Sequence, residues 1–188
     1  MDLKLDQRRV LVAGGTGGIG RAILSSFAAE GARLAFFART AASIESVDAE
    51  LRRRGATTFG RAVDFTDAAA TSAFLAELNA AWGGLDVLVI TASSMALQGT
   101  DEGWEAAFQT DLLATVKLIR ACTPLLEKSG VGSVVVIGST ASTESSPLLV
   151  PIFGAEQPYG AAKAALANHV KLLSVGLAAK NIRINMVS

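Results

Sequence analysis

The sequence predicts an α/β fold in which a doubly wound parallel sheet carries helices on both faces. Short apolar runs recur along the 188 residues, and each is followed by a segment with apolar residues at helical spacing. Several of the runs lack the alternation of a half-exposed strand, as is typical of strands covered on both sides. Strand–helix repetition of this kind implies parallel strands joined by right-handed crossovers.

The apolar runs and the helical spacing place the individual elements, within a single domain that spans 1–188. The predicted strands are 10–13, 34–38, 57–63, 87–91, 134–138 and 182–187. The predicted helices are 19–30, 42–54, 67–81, 102–128 and 159–180. Ligands of such folds bind beyond the carboxyl ends of the strands, so we expect the chemistry just after positions 13, 38, 63, 91 and 138.

Composition and charge narrow the class of protein. Hydrophobic residues make up 51% of the chain and charged residues 18%, which excludes general disorder. The formal net charge of +0 gives no indication of a nucleic-acid partner. A single cysteine, Cys122, fits a reducing compartment. The charged N-terminus has no apolar signal core and no long uncharged apolar run follows, so we expect a cytoplasmic protein without a membrane span.

A glycine-rich stretch follows the first predicted strand. Residues 13–20 read A-G-G-T-G-G-I-G and lead directly into the first helical pattern. The glycines at 14, 18 and 20 allow positive φ and a close approach of the main chain to a ligand. A strand, a glycine turn and a helix N-terminus in this order form an anion site that suits a dinucleotide pyrophosphate. The alternative is a tight structural turn, since the spacing G-x-x-x-G-x-G differs from the commonest dinucleotide pattern.

A second candidate group lies in the C-terminal half of the chain. Tyr159 and Lys163 are four residues apart, so on a helix their side chains share one face. A nearby ammonium favours the phenolate, and we therefore expect Lys163 to lower the pKa of Tyr159 towards the range of a general acid–base. Ser139 follows the fifth predicted strand and its hydroxyl could donate to a substrate oxygen. The alternatives are a chance Tyr-x-x-x-Lys pair and an ordinary turn serine.

The second predicted strand bears on cofactor preference. An acidic residue about 20 positions beyond the glycine turn would bind the adenosine ribose of NAD. Ala38 occupies that position and cannot do so, whereas the next residue, Arg39, could pair with a 2′-phosphate. We therefore expect NADP(H), with NAD(H) less favoured. The alternative is that Arg39 is a solvated charge at the end of the strand.

Taken together, these motifs resemble the classical short-chain dehydrogenase/reductase family, which has a Rossmann-type fold, and the resemblance extends over nearly the whole chain. It implies a cofactor loop, an Asp-containing segment beside the adenine, and residues after the fourth strand that contact the cofactor. It also implies a catalytic Ser and Tyr-x-x-x-Lys pair, of which the Tyr and Lys contact the cofactor too. The implied cofactor-binding residues are Gly14, Thr16, Gly17, Gly18, Ile19, Gly20, Arg39, Asp64, Phe65, Ala92, Ser93, Tyr159 and Lys163, and the implied catalytic residues are Ser139, Tyr159, Lys163 and Asp111. No metal is implied.

The resemblance also implies an activity and an assembly. Lys163 would bind the nicotinamide ribose, Tyr159 would exchange a proton with a carbonyl or secondary alcohol substrate, and Ser139 would orient its oxygen. Family members form dimers and tetramers through their long helices, so we expect a homodimer or homotetramer. In the family the sixth strand leads to a seventh strand and a substrate-covering segment, and we expect this chain to lack both, because it ends at 182–188.

The chain departs from the family pattern in one spacing and at two positions, and the two positions keep other functions open. Ser139 precedes Tyr159 by more residues than usual, which we interpret as an insertion in a substrate-lining loop, apolar around 147–153. Ile90-Thr91-Ala92-Ser93 stands where Asn-Asn-Ala-Gly is common, and Asp111 replaces an Asn that holds a proton-relay water. We expect Asp111 to pair with Lys163 or to raise its pKa. The alternatives to an oxidoreductase are a cofactor-binding regulatory protein with little turnover and, less favoured, sugar-nucleotide or quinone chemistry on the same fold.

Overall fold

The structure is a computed structural model that describes residues 3–144, 152 and 157–188. Its strands are β1 (Arg9–Ala13), β2 (Arg33–Ala38), β3 (Thr58–Ala62), β4 (Val87–Ile90), β5 (Ser133–Ile137) and β6 (Arg183–Val187). Its α-helices are α1 (Gly18–Ala29), α2 (Ala41–Arg53), α3 (Ala68–Trp82), α4 (Asp101–Ala106), α5 (Thr115–Glu127) and α6 (Pro158–Ala178). A π-helix covers Ala107–Ala114 and a short 3₁₀ turn covers Thr140–Ser142.

The strands form one six-stranded parallel sheet in the order β3-β2-β1-β4-β5-β6. The chain runs outward from β1 to β3, then crosses back to place β4 on the other side of β1. The order therefore reverses between β1 and β4, which is where open α/β sheets bind ligands. The doubly wound parallel sheet is confirmed, and its strands agree with the predicted ones to within a residue or two.

The two faces of the sheet are buried in separate hydrophobic clusters. Val10 and Val12 of β1 pack with α1 and α2, including Leu24. Leu11 and Ala13 point to the other face and pack with side chains of α3, α5 and α6. Successive residues of a strand point to opposite faces, so an unbroken apolar run fits a strand with helices on both sides.

The helical segment predicted over 102–128 differs from the structure in one respect. It is helical almost throughout, but its central part is a π-helix rather than a regular α-helix. A π-helix closes its hydrogen bonds over one more residue and is often found at functional sites. Here the wider turns contain Asp111, whose carboxylate is fully buried against Ser94 and Lys163.

Within the described ranges, no helix combines the length and apolar character needed to cross a bilayer.

Candidate active site

A cleft of about 550 Å³ opens at the carboxyl ends of β1 to β4, beside the reversal of strand order. Residues from four separate loops line it, and most of the predicted cofactor-binding positions are among them. These are Gly14, Thr16, Gly17, Arg39, Asp64, Phe65, Ala92 and Ser93. The cleft therefore brings together residues that lie far apart in the sequence but follow neighbouring parallel strands.

The glycine loop ends at the N-terminus of α1. Gly14 and Gly18 have φ values of +86° and +45°, which favour glycine. Gly17 precedes the helix in an extended conformation, and no side chain caps the first turn. That turn also contains no acidic residue, and Ile19 projects to solvent with 59% of its surface exposed. The N–H groups of the first turn are thus available to an anion.

A close approach of main chain to main chain fixes the loop against β4. A Cβ on Gly20 would overlap the carbonyl oxygen of Gly14 and lie 2.7 Å from Thr91 Oγ1. The Thr91 hydroxyl lies 2.9 Å from the carbonyl oxygen of Ala13 and 3.1 Å from that of Gly14, in position to donate to either. Ile90, by contrast, is buried in the core and offers no polar group. In the sequence, Thr91 stands out only as a departure from the family pattern, although a hydroxyl at the end of a strand next to a glycine turn is a usable signal.

Two charged residues of the cleft lie near each other at the ends of β2 and β3. Asp64 Oδ1 accepts hydrogen bonds from the Thr66 hydroxyl at 2.7 Å and from the Thr66 N–H at 2.8 Å. These bonds, with a smaller contribution from the nearby Arg39 charge, hold the pKa of Asp64 below its usual value. Arg39 is exposed at the rim of the cleft, where its guanidinium can reach a bound anion.

The serine, tyrosine and lysine predicted to act together do meet in the structure. Lys163 Nζ lies 5.5 Å from the centre of the Tyr159 ring, as expected for residues one turn apart on α6. Ser139, just after β5, lies beside Tyr159, where its hydroxyl acts to lower the pKa of the phenol, and its Oγ accepts from the Ala141 N–H at 3.2 Å. The end of β5 and the start of α6 therefore hold the two hydroxyls near each other.

The Lys163 side chain is almost completely buried, and its ammonium already contacts two other protein groups. Nζ donates to the carbonyl oxygen of Ile137 at 3.0 Å and forms an ion pair with Asp111 Oδ1 at 3.3 Å. The expected pairing of Asp111 with Lys163 is thus confirmed. The other carboxylate oxygen, Oδ2, accepts from the Ser94 hydroxyl at 2.6 Å and from the Ser94 N–H at 3.1 Å. Ser94 was missed by the sequence analysis.

The expectation that Lys163 lowers the pKa of Tyr159 is wrong for this structure. Burial raises the pKa of Tyr159, the hydrogen bond from Ser139 acts to lower it, and the charge of Asp111 raises it further. Burial is the main physical reason, and the Asp111 carboxylate also pairs with the Lys163 ammonium that was expected to lower the pKa. At neutral pH the phenol is protonated.

The apolar segment around 147–153, expected to line a substrate pocket, lies outside the described residues apart from position 152. Within the described ranges, no group of three or more His, Cys, Asp or Glu side chains is arranged to hold a metal ion.

Comparison with known proteins places this geometry in a family. A family model for short chain dehydrogenases matches residues 8–188. Isoepoxydon dehydrogenase patN of Penicillium expansum is 34% identical over 95% of this chain and 68% of its own length. The 3-oxoacyl-[acyl-carrier-protein] reductase FabG of Escherichia coli K12 is 30% identical over 99% of this chain and 74% of its own length.

A solved structure of 7α-hydroxysteroid dehydrogenase, complexed with NADH and 7-oxo glycochenodeoxycholic acid, superposes with a TM-score of 0.90 at 25% identity. It aligns with all of this chain and with 72% of its own. The sheet, the cleft and these matches lead to one conclusion: the chain belongs to the short-chain dehydrogenase/reductase family of oxidoreductases.

Proposed function

We propose that this protein is an NADP(H)-dependent oxidoreductase that interconverts a carbonyl compound and a secondary alcohol. The observation that carries the proposal is the grouping of Ser139, Tyr159 and Lys163: Lys163 Nζ lies 5.5 Å from the centre of the Tyr159 ring, and the Ser139 hydroxyl is close enough to act on the phenol. The similar proteins support this class of substrate, since they are named as dehydrogenases or reductases, and the steroid enzyme was solved with NADH and a 7-oxo compound.

The glycine loop fits a dinucleotide pyrophosphate. A Cβ on Gly17 or Gly18 would meet nothing within 4 Å, so the backbone at these positions is open to a ligand. Gly14 and Gly20, in contrast, pack too closely on Thr91 to carry a side chain. The uncapped N-terminus of α1 would bind the phosphate oxygens through its N–H groups. When bound, the nicotinamide supplies or accepts the hydride.

The preference for NADP(H) over NAD(H) rests on the rim of the cleft. Ala38 at the end of β2 offers no carboxylate to the adenosine ribose, and the neighbouring Arg39 is exposed beside the cleft. A guanidinium can pair with a 2′-phosphate through two parallel hydrogen bonds. Asp64 and Phe65, which line the same part of the cleft, would flank the adenine.

Within this proposal the three side chains have separate tasks. Tyr159 donates its proton to the substrate oxygen as the carbonyl is reduced, and Ser139 orients that oxygen by a hydrogen bond. Lys163 would bind the nicotinamide ribose with its remaining N–H. Burial raises the pKa of Tyr159, so the phenol is protonated at neutral pH and can donate its proton to the substrate oxygen.

The buried ion pair also motivates the second candidate function, a cofactor-binding protein with little turnover. Asp111 forms an ion pair with the Lys163 ammonium, which would otherwise assist Tyr159. The apolar side chain of Ile90 supplies no hydrogen bond to a cofactor at the end of β4. Both candidates predict binding of the nucleotide, and only the first predicts its consumption.

The test is NADPH oxidation with a panel of aldehydes, ketones and quinones, followed by the loss of nicotinamide absorbance. We expect turnover with at least one carbonyl and a loss of about 100-fold or more in Tyr159→Phe. NADPH binding, measured by fluorescence titration, should be unchanged in that variant. Binding without consumption across the panel, identical in both proteins, would favour the second candidate.

The expected homodimer or homotetramer remains a prediction. It is supported by exposed apolar side chains on the π-helix and on α6, where Leu113, Leu172 and Val175 are 40%, 66% and 78% exposed. Sedimentation that detects only monomers at micromolar concentration would contradict it. The cytoplasmic location also remains a prediction.

A further inference from the structure

A chain of polar contacts runs through the interior behind Tyr159. The Ser94 hydroxyl donates to Asp111 Oδ2 at 2.6 Å, and Asp111 Oδ1 lies 3.3 Å from Lys163 Nζ. The carboxylate is fully buried and the lysine side chain is 4% exposed. A buried charge without a partner is costly, so each of the two ions holds the other in place.

Hydrogen bonds to only one of its two oxygens fix the orientation of the Asp111 carboxylate. Oδ2 accepts two hydrogen bonds from Ser94, one from the hydroxyl and one from the main chain. Oδ1 accepts no hydrogen bond from the described residues and faces the ammonium alone. Ser94 therefore directs the free oxygen of Asp111 towards Lys163.

We propose that Ser94 and Asp111 are positioning residues that hold the Lys163 ammonium in a neutral buried pair and so withhold its charge from the Tyr159 phenol. The inference rests on the proposed function, in which that phenol exchanges a proton with the substrate. In such a site Tyr159 stays protonated and acts as an acid when a carbonyl is reduced. Oxidation of an alcohol needs the deprotonated phenol and therefore requires alkaline pH.

Among the described residues, the other charged groups on the elements packed against α6 are all exposed. The elements packed against α6 also carry Asp101, Glu102 and Glu105 on α4 and Arg183 on β6. All four are exposed, where water screens their charges. Asp111, on the π-helix, is buried instead, and it is the carboxylate whose charge acts on Tyr159.

Asp111→Asn makes the proposal testable. An amide at this position can still accept from Ser94, but it then turns its NH₂ group towards the ammonium. The amide NH₂ group and the Lys163 ammonium, both hydrogen-bond donors, would then face each other, and no carboxylate would neutralise the charge of Lys163. The pKa of Tyr159 should then fall, because an unpaired cation close to a phenol stabilises the phenolate.

The chain contains a single tyrosine, so the near-ultraviolet absorbance of tyrosinate reports the titration of Tyr159 alone. We expect the wild-type protein to titrate above the ordinary value of 10.0, and Asp111→Asn to titrate lower by roughly one unit or more. Asp101→Asn is the matched control, since it removes the same charge from an exposed site on the neighbouring helix, and it should leave the titration unchanged. Circular dichroism at each pH confirms that the fold persists.

An unchanged Tyr159 titration in folded Asp111→Asn would overturn the proposal and leave Asp111 a purely structural partner of Lys163. If that variant does not fold, the double variant Lys163→Met with Asp111→Asn removes both charges together. We expect its tyrosine to titrate close to wild type, since a neutral pair is replaced by neutral side chains. A rise of roughly one unit or more would show that Lys163 acts as a free cation in the wild type and would overturn the proposal.

The titration requires neither cofactor nor substrate, which separates this inference from the proposed function. Should the enzyme turn over alcohols, the rising limb of the pH profile for oxidation should move to lower pH in Asp111→Asn by the same amount as the tyrosine titration. A shift in the titration without any turnover in either protein would refute the proposed function and support the ion-pair account.

Discussion

Replacing Gly20 by Ala tests whether the close packing of the glycine loop is required for the fold. Ala is the better helix former by about 1 kcal/mol, so propensity alone predicts stabilisation. The added Cβ, however, would overlap the carbonyl oxygen of Gly14 and lie 2.7 Å from Thr91 Oγ1. A carbonyl held in a loop between a strand and a helix cannot withdraw as a flexible side chain can. Overpacking of this kind typically costs about 1–3 kcal/mol, and an overlap with a backbone carbonyl belongs in the upper half of that range. After the gain of about 1 kcal/mol in propensity, we expect a net loss of about 1–2 kcal/mol.

The assay is thermal unfolding followed by NADPH titration. For a domain of this length we expect the melting temperature of Gly20→Ala to fall by roughly 4 °C. NADPH binding should weaken as well, because the loop must shift away from β4. Gly17→Ala is the matched control: its backbone is extended and a Cβ there meets nothing within 4 Å. It should keep the wild-type melting temperature and weaken NADPH binding only. Wild-type stability and affinity in Gly20→Ala would refute the packing argument.

Three further predictions concern Asp86, at the amino end of β4, and Arg39 and Thr91 at the cleft. Asp86→Asn should lower the free energy of unfolding by about 1–3 kcal/mol, because Asp86 pairs with Arg9 at 2.9 Å and accepts from Ser129 at 2.6 Å. Burial acts to raise the pKa of Asp86, but these bonds hold it well below 3.8. The contribution is therefore present above that pH and lost as the pH falls further, so urea titrations of the two proteins should converge in acid. Arg39→Ala should weaken binding of NADPH about tenfold or more and leave NADH nearly unchanged, which calorimetry with both cofactors would test. Thr91→Val should lower stability by about 1 kcal/mol and weaken NADPH binding, whereas unchanged values would mean that its hydrogen bonds do not hold the loop.

The architecture could be predicted because the central strands of this sheet, β1, β2 and β4, are buried almost throughout. An unbroken run such as 10–13 is hard to accommodate except as a strand between two helical layers. The outer strands β3 and β6 are more exposed. The glycine loop was predictable for a related reason, since positive φ and close backbone contact leave few other residues at Gly14 and Gly20. These are local constraints that a sequence records directly.

The electrostatic interactions of the site were harder to predict from the sequence. Ser94 and Asp111 come from separate elements, and only the fold brings them to the same side of Lys163. The π-helix has no distinctive local sequence, because the apolar spacing around 107–114 is also compatible with a regular helix. The Tyr-x-x-x-Lys spacing placed Tyr159 and Lys163 together correctly, and the departure at Asp111 indicated a partner for Lys163. The sequence could not indicate that this pair is buried or that Ser94 binds the carboxylate.

The most direct test of the account is a crystal structure with NADP and a secondary alcohol bound. We expect the pyrophosphate on the N–H groups at the start of α1 and the 2′-phosphate against Arg39. The Tyr159 hydroxyl should lie about 2.6–3.2 Å from the alcohol oxygen, within hydrogen-bond reach of the proton it exchanges. A cofactor bound elsewhere, or a Tyr159 hydroxyl directed away from the alcohol, would contradict the proposed reaction.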